Sequence, residues 1–127
     1  MSSLVFGLVH LSTEGATVMD VTFISIEAGL LLAAAYMLTR RLWLCIGFHA
    51  AWNFTQGSVF SGAVSGTQEP TGLIKTTMHG PDLFTGGNFG MEASVVALAL
   101  LTTTGVVMLV MAIRRGEVRL PMWMRRA

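Results

Sequence analysis

Two long stretches of this chain carry no charge, and they limit its folding more than any other feature. No Asp, Glu, Lys or Arg occurs from Leu42 to Gln68, and none from Ala93 to Ile113. A third stretch, Val18 to Leu38, holds only Asp20 near its start and Glu27 in its middle. A helix needs about 20 mostly apolar residues to cross a bilayer, and each stretch supplies them. Helices apolar on every face must be buried in a large protein or in lipid. A chain of 127 residues supplies no large protein around them. Only 12% of the residues are charged, against roughly 25% in soluble domains, too few to clothe a watery surface. No period-two alternation suggests strands, and the Ala, Leu and Met content favours helix. The expected fold is therefore all-α: a polytopic transmembrane protein of three full membrane helices and a partial N-terminal one. The expected helices are about 2–11, 18–38, 42–60 and 92–113, with a loop over about 61–91 and a tail over 114–127.

The basic residues orient this arrangement. Arg40 and Arg41 fall between the first two long helices; Arg114, Arg115, Arg119, Arg125 and Arg126 follow the last. Crossing at each helix puts both clusters on one face, which the positive-inside rule makes cytoplasmic. The 61–91 loop is then extracytoplasmic and the tail cytoplasmic, with Trp123 at the interface. The loop has turn chemistry at His79-Gly80-Pro81-Asp82 and Thr85-Gly86-Gly87-Asn88. The first residues lack the basic start of a signal peptide. A net charge of +1 gives no reason to expect a nucleic-acid partner. Cys45 is the sole cysteine, so no internal disulfide can form, and it reads as a small packing residue.

Polar or ionisable side chains within membrane helices are costly and mark functional sites by default. His10, His49 and Glu27 are such residues here. Residues four apart share a helix face, so Phe6 lies beside His10 and Asn53 beside His49. Two helices that bring His10 and His49 together would enclose a polar chamber. Two imidazoles there can hold a metal ion or orient water and a substrate carbonyl. Asn53 can donate to an oxyanion. The bland alternative is two histidines hydrogen-bonded across helices as structural glue. Glu27 is the candidate substitute base, though nothing in the sequence sets it beside the histidines. Glu92 reads as a carboxylate in the first turn of the last helix, favoured there by the helix dipole.

The stretches Ser3-Leu4-Val5-Phe6-Gly7-Leu8-Val9-His10 and Leu42-Trp43-Leu44-Cys45-Ile46-Gly47-Phe48-His49-Ala50-Ala51-Trp52-Asn53-Phe54 resemble the FxxxH and HxxxN motifs of the CAAX-protease and bacteriocin-processing (CPBP) family. The segment Gly80 to Ser94 resembles the region before the last helix in bacterial members. The resemblance implies an intramembrane endopeptidase with His10, His49 and Asn53 catalytic and Phe6 in the site wall. It leaves open zinc or another divalent metal, held by His10 and His49, or a glutamate-activated water without metal. It implies a membrane-embedded or lipid-modified protein or peptide substrate, in a bacterial plasma membrane. The family's first motif, EExxxR, is absent from the sequence. The chain is thus expected to be the C-terminal portion of one such domain, inactive alone and needing further N-terminal helices. Two other readings are a non-catalytic membrane protein of the same fold, in an immunity or scaffold role, and a b-type haem protein with His10 and His49 as axial ligands.

Overall fold

The computed structural model describes residues 2–13, 16–67 and 72–118, whose regular structure is helical, with no strand beyond an isolated bridge between Val64 and Thr67. The helices are α1 (Ser2–His10), α2 (Val18–Thr39), α3 (Leu42–Asn53), a short α4 (Asp82–Thr85) and α5 (Val95–Arg114). A π-helical turn, Phe54–Val59, continues α3, and a 3-10 turn, Met91–Ala93, precedes α5. Glu14, Glu69, Pro70, Arg119, Trp123, Arg125 and Arg126 lie outside the described residues, and most of the expected tail with them.

Local chemistry sets the ends of α2. Thr17 and Asp20 form a reciprocal capping box: Asp20 N donates to Thr17 Oγ1 at 3.2 Å, and Thr17 N donates to Asp20 Oδ2 at 2.9 Å. The acidic residue near the start of the apolar run is thereby employed at the helix N-terminus, where its charge also suits the dipole. At the other end Arg40 adopts the left-handed conformation, φ 55°, and its N–H donates to Tyr36 O at 2.7 Å. Its guanidinium covers the Tyr36 ring at 5.1 Å. Arg41 is extended and opens α3, so the arginine pair forms the corner between two antiparallel helices.

Helices α2 and α5 are long and apolar enough to cross a membrane. Helix α3 differs from the uniform span expected over 42–60. Twelve residues of α-helix pass without a break into six of π-helix.

Small residues set the register of the other helices. Gly29 lies against Ser3, and Gly7 against Ser25, so α1 runs antiparallel to α2. A Cβ on Gly29 would sit 2.3 Å from the Ser3 Cβ. On α5, Gly105 meets the backbone of Leu31, while Ala93, just before the helix, packs with Ile24 and Phe89. Helix α5 therefore runs alongside α2 in the same direction, and the two form the most extensive helix pair. Helix α3 buries none of its residues.

The loop between α3 and α4 is anchored along its length. Leu73 N and Ile74 N donate to Ser58 O and Val59 O, and Gln56 donates to Ala63 O. Residues 64–67 form a tight turn whose central residues, Ser65 (φ 50°) and Gly66 (φ 79°), are both left-handed. That is the geometry of a type I′ turn. Gly66 N donates to Phe89 O at 2.7 Å, tying the turn to the segment before α5.

Candidate active site

The two histidine motifs arrive at one place. His10 closes α1, and His49 lies in the second half of α3 with Asn53 one turn further on. Their side chains line a common cavity of about 30 Å³ together with Phe6, Glu27, Ser65 and Glu92. Apolar side chains, among them Ile24, Leu31 and Leu101, complete the wall.

Phe6 organises the pair. Its ring lies 4.9 Å from the His10 ring, tilted, and 5.6 Å from the His49 ring, edge-on. Its backbone carbonyl accepts a 2.7 Å hydrogen bond from His10 Nδ1. A carbonyl can only accept, so Nδ1 carries the hydrogen and Nε2 keeps its lone pair. Asn53 Nδ2 donates to His49 Nε2 at 3.4 Å. That bond is long, and the amide retains a second hydrogen for another acceptor.

The cavity also holds two carboxylates, which the sequence treats separately. Glu27 lies three turns into α2 with 1% of its surface exposed. The spacing rules that pair Phe6 with His10 do not reach it, since only the α1–α2 register sets its position. Glu92 corrects its expected location: it lies in the 3-10 turn ahead of α5, where Ser94 is the N-cap and accepts from Ala97 N at 3.1 Å. Its partner is not the dipole of α5 but the turn across the cavity. Ser65 N and Ser65 Oγ both donate to Glu92 Oε1, each at 2.7 Å. Sequence reasoning missed Ser65 altogether. Its one signal was a small polar residue before a glycine, which is common in any loop.

Among the described residues no group of three or more His, Cys, Asp and Glu side chains has the geometry to hold a metal ion. Two imidazoles fall short of the three protein ligands of a catalytic zinc. The described residues do not by themselves form a metal centre.

The site is thus a small polar chamber among apolar helices, with imidazole, amide and carboxyl groups lining space of molecular-water size. Residues 1–55 match the family model Rce1-like, described as type II CAAX prenyl endopeptidase Rce1-like. The match spans both histidine motifs and supports the relationship to the CAAX-protease (CPBP) family. No curated protein and no solved structure matches the chain.

Proposed function

We propose that this protein is an intramembrane endopeptidase of the CAAX-protease type, which hydrolyses a peptide bond in a membrane-embedded or lipid-modified protein or peptide. The observation that carries the reading is the convergence of His10, His49 and Asn53, from two separate helices, on one small cavity. His10 Nε2, free to accept, orients the water. His49 polarises the substrate carbonyl or receives a proton as the tetrahedral species forms. The unused amide hydrogen of Asn53 stabilises the oxyanion. Phe6 holds both imidazoles by ring contact and shapes the wall.

The protein acts from within a bacterial plasma membrane. Helices α2 and α5 cross it, and the α3 run from Leu42 to Val59 serves as a third crossing. The Arg40–Arg41 corner and the chain after Arg114 face the cytoplasm. The haem reading fares worse on the same geometry. The Phe6 ring lies against both imidazoles, and a cavity of about 30 Å³ is far too small for a porphyrin.

The test is cleavage of an internally quenched, prenylated CAAX peptide in liposomes by this chain preceded by helices that carry an EExxxR motif, since the chain alone is expected to be inactive. His10→Ala and His49→Ala should each lower turnover by about 10²–10⁴-fold while the protein stays in the membrane. Asn53→Ala should cost about 10²–10³-fold. Unchanged turnover in either histidine variant would overturn the assignment.

A further inference from the structure

A second opening lies at the corner between α2 and α3, and it shares no residue with the histidine cavity. It is a groove of about 610 Å³ between Tyr36 and Arg40, at the end of α2, and Arg41, Leu42, Trp43 and Ile46, at the start of α3. Its two sides differ in chemistry. Both arginines are exposed, and no Asp or Glu occurs between Glu27 and Glu69 to neutralise them. Arg40 is also held in place. Its guanidinium lies over the Tyr36 ring at 5.1 Å, a contact made through the face of the group, so the N–H donors along its edge stay available to an anion. The other side is apolar and open: Leu42, Trp43 and Ile46 are 63%, 79% and 54% exposed.

The apolar side continues along α3 beyond the groove. Trp43, Gly47, Ala50 and Phe54 recur at helical spacing on one face. Trp43 and Phe54 are both exposed, and nothing stands within 4 Å of a Cβ at Gly47, which leaves a shallow channel between the two aromatic side chains. The eleven residues from Trp43 to Phe54 measure about 16 Å as helix. That is close to half of a hydrocarbon core about 30 Å thick. A charged corner above an apolar channel one leaflet deep matches a phospholipid. A free phosphate would leave the channel bare, and an apolar helix of another protein would bury two guanidiniums without a counter-charge. Arg114 and Arg115 end α5, which runs in the same direction as α2. The corner therefore stands at the basic face of the protein, where anionic lipid collects.

We propose that the α2–α3 corner is a binding site for one anionic phospholipid, with its phosphate on Arg40 and Arg41 and an acyl chain along Trp43, Gly47 and Phe54. The proposal rests on the membrane placement in the reading above and not on its chemistry. Helix α3 buries none of its residues yet carries His49 and Asn53, so its position relative to α2 depends on what holds the corner. A phosphate bonded to Arg40, at the end of α2, and to Arg41, at the start of α3, ties the two helices to one another. The lipid chain then covers an apolar face that the described residues leave open.

Brominated lipids test this, because bromine quenches indole fluorescence only at contact. With Trp52→Phe and Trp123→Phe in place, Trp43 is the one tryptophan left. This protein is reconstituted into phosphatidylcholine vesicles in which an equal mole fraction of either phosphatidylglycerol or phosphatidylcholine carries bromine on its chains. Phosphatidylglycerol should be enriched about 30-fold at Trp43, the preference that two basic residues at a membrane surface give. Unbrominated phosphatidylglycerol should relieve the quenching, and glycerol phosphate in the buffer should not. Arg40→Gln with Arg41→Gln should bring the two lipids to parity. Arg114→Gln with Arg115→Gln removes the same charge from the same end and should leave the preference in place. Equal quenching by the two lipids with all four arginines present would overturn the proposal, whatever the variants do. So would an equal loss in both arginine pairs, the mark of a diffuse charge effect, or displacement by glycerol phosphate, the mark of a site for free phosphate. None of these readouts needs cleavage, so the endopeptidase assignment stands or falls separately.

Discussion

Helices α2 and α3 follow one another in the chain, and both are strongly apolar, yet the protein treats them in opposite ways. Eight residues of α2 are buried, Glu27 among them, and glycines and serines on its neighbours fit against it. Helix α3 buries none, and Trp43 stands 79% exposed. Each nonetheless delivers polar groups to the same cavity. Apolar content alone therefore says nothing about which helix is fixed by the protein and which by its surroundings. In lipid, an apolar helix face gains little from burial in protein, so close small-residue packing decides the matter. Half of the site rides on a packed frame, and the half with His49 and Asn53 rides on a helix held by its corner and its loop.

The largest effect is expected in the loop that leads into α5, the helix packed on α2. Gly86 has φ 79°, and a Cβ there would meet Gly90 O at 1.8 Å. Gly86→Ala combines a left-handed strain with an overlap against backbone, and it should cost about 3 kcal/mol. Thermal unfolding in detergent micelles, followed by circular dichroism, would read this as a large fall in Tm. A smaller loss should follow Glu92→Ala, which strands two Ser65 donors; about 2 kcal/mol is expected for hydrogen bonds to a charged group. Proteolysis at the 64–67 turn would report the same loss as faster cutting. The smallest effect has the reverse sign. Gly47, inside α3, has nothing within 4 Å of where its Cβ would be. Gly47→Ala should stabilise the protein by about 0.4–1 kcal/mol through helix propensity alone. A clear drop in Tm instead would mean that α3 is closely packed after all, and the comparison would fall.

These effects divide along the line between what the sequence discloses and what it does not. The helical character of the chain is legible because long uncharged runs admit no other structure. The pairings Phe6–His10 and His49–Asn53 are legible because a four-residue spacing sets a common face whatever the tertiary fold. The position of Glu27 is not, because it depends on how α1 and α2 cross, and that crossing is decided by contacts of Gly7 and Gly29. Glu92 was misread for a related reason. A carboxylate ahead of an apolar run suggests a helix start, but its partner Ser65 is distant in sequence and meets it only because residues 64–67 turn back. The change from α- to π-helix after Asn53 has no sequence signal that we can identify.

The contacts of Ser3 with Gly29 and of Gly7 with Ser25 have a mechanical consequence. They act as detents in a sliding joint, each a shallow notch that accepts only a residue of the right size. A slip of one notch would shift α1 by one helical turn, about 5.4 Å, and carry the Phe6 ring out of contact with the His49 ring on α3. The alignment of Phe6 and His10 with His49 is thus held by four small residues outside the cavity lining, and enlarging any of them would detune the site from a distance.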